Sequence, residues 1–328
     1  MILPEERVHA QQRGAVLTAA GVGAAAASAA WLATPGLAPA PRAALALAAG
    51  LAAFPAALAP GAGRRRRRER IAREPFPAAW EALLEQHVAF FRALDEPGRV
   101  RFRRGVALFL AEKRVTGVDV AADDTAWVLV AASAVIPIFG LEEWTYRSVV
   151  EVLVYPESFD EEYEVRARRG DMLGMAPSQT STIIVSFPAL LEGFGRRAER
   201  MHVGIHEFLH AIDGEDGEVD GFPTLLMDAQ TSADWARIAE ENLRLLDRGG
   251  GIVDLYAAED EGELFAVAGE HFFLEPESLA RRHPDLYGIL SRILRQDPLA
   301  RAGAERRRPA GRGARARGRG RRRWRPRR

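Results

Sequence analysis

The sequence predicts an α+β domain that is mostly helical and contains a small β-sheet. Several segments place apolar residues at helical spacing, and two short segments rich in β-branched residues lie between them. Ahead of this domain, two apolar stretches predict a transmembrane hairpin of two helices. With 328 residues, 48% of them hydrophobic, the chain can bury a substantial core.

The N-terminal arm, residues 1–70, contains two uncharged stretches at 14–34 and 43–63. Each is long enough to cross a bilayer as a helix, and the prolines between them would break a continuous helix. The arginines at 64–68 favour a cytoplasmic location for the following domain. We therefore expect a membrane-associated protein with its main domain in the cytoplasm. One alternative is a signal peptide, with Arg13 as its n-region and a cleavage-like site at 37–40. The other is a soluble low-complexity arm, since most of the apolar residues are alanine.

The main domain is predicted to cover residues 71–300. Its segment 123–138 is apolar throughout, but acidic residues lie on both sides, which favours a buried core helix over a third membrane span. The pattern predicts helices at 76–94, 99–113, 123–138, 199–212, 232–246 and 261–274, and strands at 148–155 and 182–187.

The C-terminal tail, residues 301–328, contains fourteen arginines and one glutamate. It has almost no large apolar side chains, so we predict that it is disordered. Its charge could attract nucleic acid or anionic lipid, but a solvated extension explains the composition equally simply. Nucleic acid is therefore not an expected partner.

The chain contains no cysteine, which excludes disulfides, thiolate catalysis and zinc sites built from cysteine. Any metal site must use histidine, aspartate or glutamate. This restriction directs attention to a histidine pair in the predicted helix 199–212.

His206 and His210 are four residues apart, so their imidazoles lie on one helix face and can reach one ion. Glu207, between them, is positioned to accept a proton from a water molecule that a zinc ion acidifies. The pattern predicts a zinc-dependent peptidase in which Glu207 is the general base. Met201, Ile205, Leu209 and Ile212 are expected to anchor the opposite face in the core.

A catalytic zinc site normally has three protein ligands and one open position. No third histidine follows at a suitable spacing, so a carboxylate is expected. The candidates are Glu259, Glu261, Glu263 and Glu270. Glu263 is favoured because it opens an apolar helix that contains the small residue Ala266, where a second helix could approach closely. His271 is expected to be structural.

These segments resemble the zinc-peptidase family of Mlc titration factor A (MtfA). The resemblance covers about residues 76–276 and rests on the strand at 148–156, the motif and loop at 202–223, and the segment 263–273. It implies a zincin-like fold that is also related to the catalytic domain of anthrax lethal factor. His202 and Gly204 stand where the family usually has asparagine and valine.

The resemblance implies that zinc is bound by His206, His210 and Glu263, and that Tyr256 donates a hydrogen bond to the developing oxyanion. A peptide or protein is the implied substrate. An alternative function is a regulatory binding protein that sequesters a partner such as a transcription repressor, with peptidase activity secondary.

Asp213 follows His210 by three residues and lies on the same helix face. It could accept the second N–H of a metal-bound histidine, as carboxylates around metal sites often do. Turn chemistry at the end of the helix is the alternative, since Gly214 follows.

Overall fold

A computed structural model describes residues 4–119, 122–142, 144–156, 182–195, 201–246 and 261–301. The chain divides into two compact units, Met1–Glu74 and Pro75–Arg328. Tyr256 and the arginine-rich tail beyond Arg301 lie outside the described residues.

The first unit is a pair of helices, α1 (Pro4–Ala33) and α2 (Pro39–Arg73). They approach closely at two glycines: a Cβ placed on Gly23 would lie 3.1 Å from the carbonyl oxygen of Gly50. At the turn, Arg42 donates from Nε to the Trp31 carbonyl at 2.7 Å and stacks its guanidinium over the indole ring. Small side chains thus allow the two backbones to pack together.

The prediction that these two helices span a membrane is not supported. Among the described residues, none of the helices combines the length and the apolar character that crossing a membrane requires. The physical reason is composition, since alanine and glycine offer little apolar surface per residue. The predicted hairpin is present, but as a pair of small-residue helices.

The second unit is mostly helical, as predicted. Its described helices are α3 (Ala78–His87), α4 (Ala89–Ala93), α5 (Glu96–Glu112), α6 (Asp124–Ile138), α7 (Phe187–Gly193), α8 (Val203–Asp213), α9 (Ala229–Leu246), α10 (Glu261–Leu274), α11 (Pro276–Arg282) and α12 (Pro284–Leu294). The predicted helix 76–94 is divided into α3 and α4, because Val88 adopts an extended backbone between them.

The sheet contains three parallel strands in the order β1 (Arg114–Gly117), β2 (Glu151–Tyr155) and β3 (Thr182–Ser186). β2 and β3 match the predicted strands. β1 was missed because its four residues carry no clear alternation. Lys113, just before β1, donates from Nζ to the carbonyls of Tyr146 and Val149 and ties the end of α5 to the segment that enters β2.

α6 is the central helix of the core, and the prediction of a buried helix at this place is confirmed. Its residues from Val128 to Pro137 are all buried. Asp123 caps its N-terminus by accepting from the backbone N–H groups of Thr125 and Ala126. α6 packs against α3, α5, α7 and α8, so the motif helix lies directly against the most apolar element of the domain.

Candidate metal centre

α8 carries the two motif histidines and begins with an unusual cap. His202 accepts a hydrogen bond at Nδ1 from the backbone N–H of Ile205, 3.3 Å away, and so occupies the N-cap position. Ile205, Leu209 and Ile212 are buried, as predicted. Met201 is not: it precedes the helix and is 66% exposed, because α8 begins only at Val203.

Two close helix contacts hold α8 in the core. A Cβ on Gly204 would lie 2.7 Å from Ser133 Cβ, so α6 and α8 can approach this closely only with glycine at that position. On the other side, Gly269 of α10 faces the side chain of Leu209 at a similarly short distance. The two site helices therefore approach closely at Gly269, one turn beyond the buried Ala266.

The structure brings His206, His210 and Glu263 together. The two Nε2 atoms are 3.1 Å apart. Glu263 Oε2 lies 3.2 Å from His206 Nε2 and 3.3 Å from His210 Nε2. Within the described ranges, this is the group of three His, Asp or Glu side chains arranged to hold a metal ion.

The donor set fits a tetrahedral metal ion. Bonds of about 2.0–2.1 Å at tetrahedral angles separate ligand atoms by about 3.3–3.4 Å. The three measured separations of 3.1, 3.2 and 3.3 Å are close to this value. Two imidazoles and one carboxylate also form a donor set that zinc accepts well.

Glu270 lies on the other side of the His206 ring. Its Oε2 is 3.3 Å from His206 Nδ1, and its Oε1 accepts from the backbone N–H of His202. Glu270 therefore contacts the ring nitrogen that faces away from Glu263. Among the candidate carboxylates whose side chains the structure describes, Glu263 and Glu270 both reach a histidine. Their spacing of seven residues places them two turns apart on one face of α10.

The electrostatics of the centre favour positive charge. Burial alone would lower the pKa of His206, but its hydrogen bonds with Glu263 and Glu270 outweigh that effect and raise the pKa. Burial would raise the pKa of Glu263, but its hydrogen bonds with His206 and His210 hold it well below the usual range. The buried carboxylate of Glu270 and the half-buried carboxylate of Glu263, on either side of one imidazole, thus create a place for a cation.

The remaining predicted site residues differ in how far the structure describes them. Glu207 is half-buried on α8, and its charge contributes to the raised pKa of His206. Tyr256 and Glu259 lie outside the described residues, and the side chain of Glu261 is not described. His271 is half-buried on α10. The catalytic roles of Glu207 and Tyr256 stay predictions.

Asp213 forms no hydrogen bond with either histidine. Its Oδ2 accepts from the backbone N–H of Gly221 at 2.7 Å, which closes the loop after α8. Its Oδ1 and the His210 Nδ1 are both buried without a hydrogen-bond partner. Burial, reinforced by the charges of Asp220 and Asp216 and opposed by the Gly221 bond, raises the pKa of Asp213 to about 7. Turn chemistry is the alternative that the structure supports.

Two imidazoles and one carboxylate are a donor set that catalytic zinc sites of metallopeptidases use. The profile of the glucose-regulated metallo-peptidase M90 family matches residues 63–295, and the chain belongs to that family. The predicted resemblance to MtfA-like proteins is thereby confirmed, and membership implies a bound metal ion. The further relation to anthrax lethal factor stays a prediction.

Individual relatives agree with this assignment. Mlc titration factor A of Cronobacter sakazakii is 29% identical over 242 residues, which cover 69% of this chain and 88% of the relative. Mlc titration factor A of Pectobacterium atrosepticum is 31% identical over 180 residues, 51% of this chain and 66% of the relative. An uncharacterized protein of Synechocystis sp. is 26% identical over 245 residues, 71% of this chain and 89% of the relative.

Proposed function

We propose that this protein is a zinc-dependent peptidase whose metal is held by His206, His210 and Glu263. The observation that carries the proposal is the convergence of three donor atoms at separations of 3.1 to 3.3 Å. When bound, zinc supplies a Lewis acid that polarises a carbonyl and acidifies water. The three side chains come from two helices that are locked together in the core, so the donor geometry is established before the metal arrives.

In this proposal, Glu207 is the general base. It follows His206 directly on α8 and is half-buried, so its carboxylate can take a proton from the attacking water and later deliver it to the leaving amine. Tyr256 is proposed to donate its phenolic hydrogen to the oxyanion of the tetrahedral intermediate. Both roles follow from the family resemblance and the motif.

The test uses the purified full-length chain. Metal is removed with a chelator, zinc is added back, and hydrolysis of a quenched-fluorescence peptide library is measured. We expect zinc to restore activity. Glu207→Gln is expected to retain zinc and lose activity by about 10²- to 10⁴-fold, because only the proton acceptor is removed.

The matched control is Glu241→Gln, the same substitution at an exposed position of α9 that pairs with Arg237 on the surface. It is expected to hydrolyse peptides at the wild-type rate. Equal rates for wild type and Glu207→Gln would refute the mechanism.

A second candidate function is a regulatory binding protein. The name of several relatives, Mlc titration factor A, says that those proteins titrate Mlc. By similarity, this chain could sequester a regulatory partner such as a transcription repressor, with peptidase activity secondary. Binding of such a partner to Glu207→Gln at wild-type affinity, measured by calorimetry, would favour this function over proteolysis.

The cellular location stays a proposal from the sequence. We propose a cytoplasmic main domain that is associated with a membrane, with a soluble cytoplasmic protein as the alternative. Fractionation of cells that express the full-length chain distinguishes the two.

A further inference from the structure

Glu270 is a buried carboxylate that the proposed metal ligands do not explain. It is 3% exposed, in the middle of the helix that also carries Glu263. A charged carboxylate is costly to bury unless hydrogen bonds compensate it. Here each oxygen has one partner: the backbone N–H of His202 and the ring nitrogen Nδ1 of His206.

The contact with Glu270 favours one tautomer of the His206 ring. A neutral imidazole carries its proton on one nitrogen and its lone pair on the other. A carboxylate is purely an acceptor, so Glu270 stabilises the form with the proton on Nδ1. The lone pair is then on Nε2, the nitrogen that lies 3.2 Å from Glu263 and 3.1 Å from His210 Nε2.

The contact with His202 keeps Glu270 in place. The backbone N–H of His202 lies at the start of α8, where the helix has unsatisfied donors and partial positive charge. The neighbouring Gly269 packs directly against Leu209 of α8, which leaves little freedom for the two helices to shift. Glu270 is therefore held between the start of α8 and the ring of His206.

We propose that Glu270 is a positioning residue that holds His206 in the tautomer and orientation required for metal binding. The inference rests on the proposed function only in that the centre binds zinc. Glu270 itself does not touch the substrate, and its effect is transmitted through the His206 ring. Carboxylates that accept from metal-bound histidines typically change metal affinity by about 10- to 100-fold.

Glu270→Gln is a sharp test because the two side chains have the same shape but different hydrogen-bonding capacity. Glutamine has one acceptor oxygen, whereas His202 N and His206 Nδ1 both require one. If the oxygen faces His202, the amide NH₂ faces His206 and favours a proton on Nε2, where the metal must bind. The substitution thus opposes the required tautomer with little change in volume.

The experiment measures the zinc dissociation constant of the full-length chain by competition with a chromogenic chelator. Wild type, Glu270→Gln and the control Glu241→Gln are compared, and the Tm of each metal-free protein is recorded. We expect Glu270→Gln to weaken zinc binding by about 10- to 100-fold. Glu241→Gln is expected to bind zinc like wild type.

A spectroscopic measurement does not depend on any variant. In the zinc-loaded wild type, NMR should detect the Nδ1 proton of His206 as a downfield, slowly exchanging resonance, because that proton is buried and bonded to Glu270. This signal decides the question if Glu270→Gln fails to fold. A rapidly exchanging Nδ1 proton would overturn the inference.

The outcomes separate the two proposals. If wild type and Glu270→Gln bind zinc equally, the positioning role is wrong and the peptidase proposal is unaffected. If wild type binds zinc tightly and Glu270→Gln weakly, but wild type hydrolyses no peptide, the positioning role holds and the peptidase proposal falls. If wild type binds no zinc, both are overturned.

Discussion

Replacing Gly204 by alanine tests how closely the motif helix must approach the core. A Cβ at this position would overlap Ser133 Oγ and would lie 2.7 Å from Ser133 Cβ and 2.9 Å from Leu190 Cδ1. Ser133 Oγ donates to the Leu129 carbonyl at 3.0 Å inside α6, so it cannot move aside without losing a buried hydrogen bond. The clash must therefore be relieved by separating α6 from α8.

Two opposing terms determine the size of the effect. An alanine in place of a helical glycine stabilises by about 0.5–1 kcal/mol through the unfolded chain and helix propensity. Overpacking a close-packed core costs about 1–3 kcal/mol. We expect the overpacking cost to be larger, so that the free energy of unfolding falls by about 1–2 kcal/mol. For a domain of this size, this lowers the Tm by roughly 2–8 °C.

Gly288→Ala is the matched control. Gly288 lies on an exposed face of α12, and a Cβ there would meet nothing within 4 Å. The same substitution is therefore expected to be neutral or stabilising by about 0.5–1 kcal/mol. Thermal unfolding of the metal-free full-length chain compares the two variants. A Gly204→Ala protein as stable as Gly288→Ala would refute the claim that the approach of α6 and α8 requires glycine.

Two further predictions concern groups beside the centre. Removing the cap of α8 by His202→Ala should lower the free energy of unfolding by about 0.5–2 kcal/mol. His202→Asn retains a capping acceptor and should lose less. Equal losses of the two variants in thermal unfolding would exclude the capping role. The folded-state pKa of Asp213 is about 7, above its unfolded value, so the folded protein binds this proton more tightly than the unfolded chain does. The resulting stabilisation is complete at low pH and is lost as the pH rises from about 4 through 7. The Tm of metal-free Asp213→Asn should therefore rise relative to that of wild type as the pH increases across this range. A difference in Tm that does not change with pH would contradict the raised pKa.

Local sequence patterns predicted several elements well because the spacing of apolar residues is regular along the whole length of each element. α10 begins and ends at the predicted residues 261 and 274, since its apolar spacing is uninterrupted. The strand predicted at 182–187 ends one residue early as β3, because α7 begins at Phe187 with Pro188 in its first turn. Both successes depend on residues that are neighbours in sequence.

The predictions that failed concern features that a local sequence pattern does not reveal. β1 is too short to show a period, and it is a strand because its backbone pairs with β2 across the sheet. The first unit has the length of membrane helices but lacks their apolar surface, a difference that counting uncharged residues does not reveal. Helix spacing left Asp213 open between a histidine and the turn after α8, and the structure shows that it accepts from Gly221 because the chain beyond it folds back.

By itself, the sequence singled out the two histidines, the glutamate between them and the carboxylate candidates, because these depend on residue type and on the geometry of single helices. Only the tertiary structure decided which carboxylates reach which nitrogen atoms. The sequence favoured Glu263 as the metal ligand but gave Glu270 no separate role, and the two differ because α10 crosses α8 at the contact of Gly269 with Leu209. That crossing places one carboxylate beside Nε2 and the other beside Nδ1 of the same ring. Helix packing depends on side-chain volumes far apart in the chain, and so the division of roles between the two glutamates could not be read from their spacing.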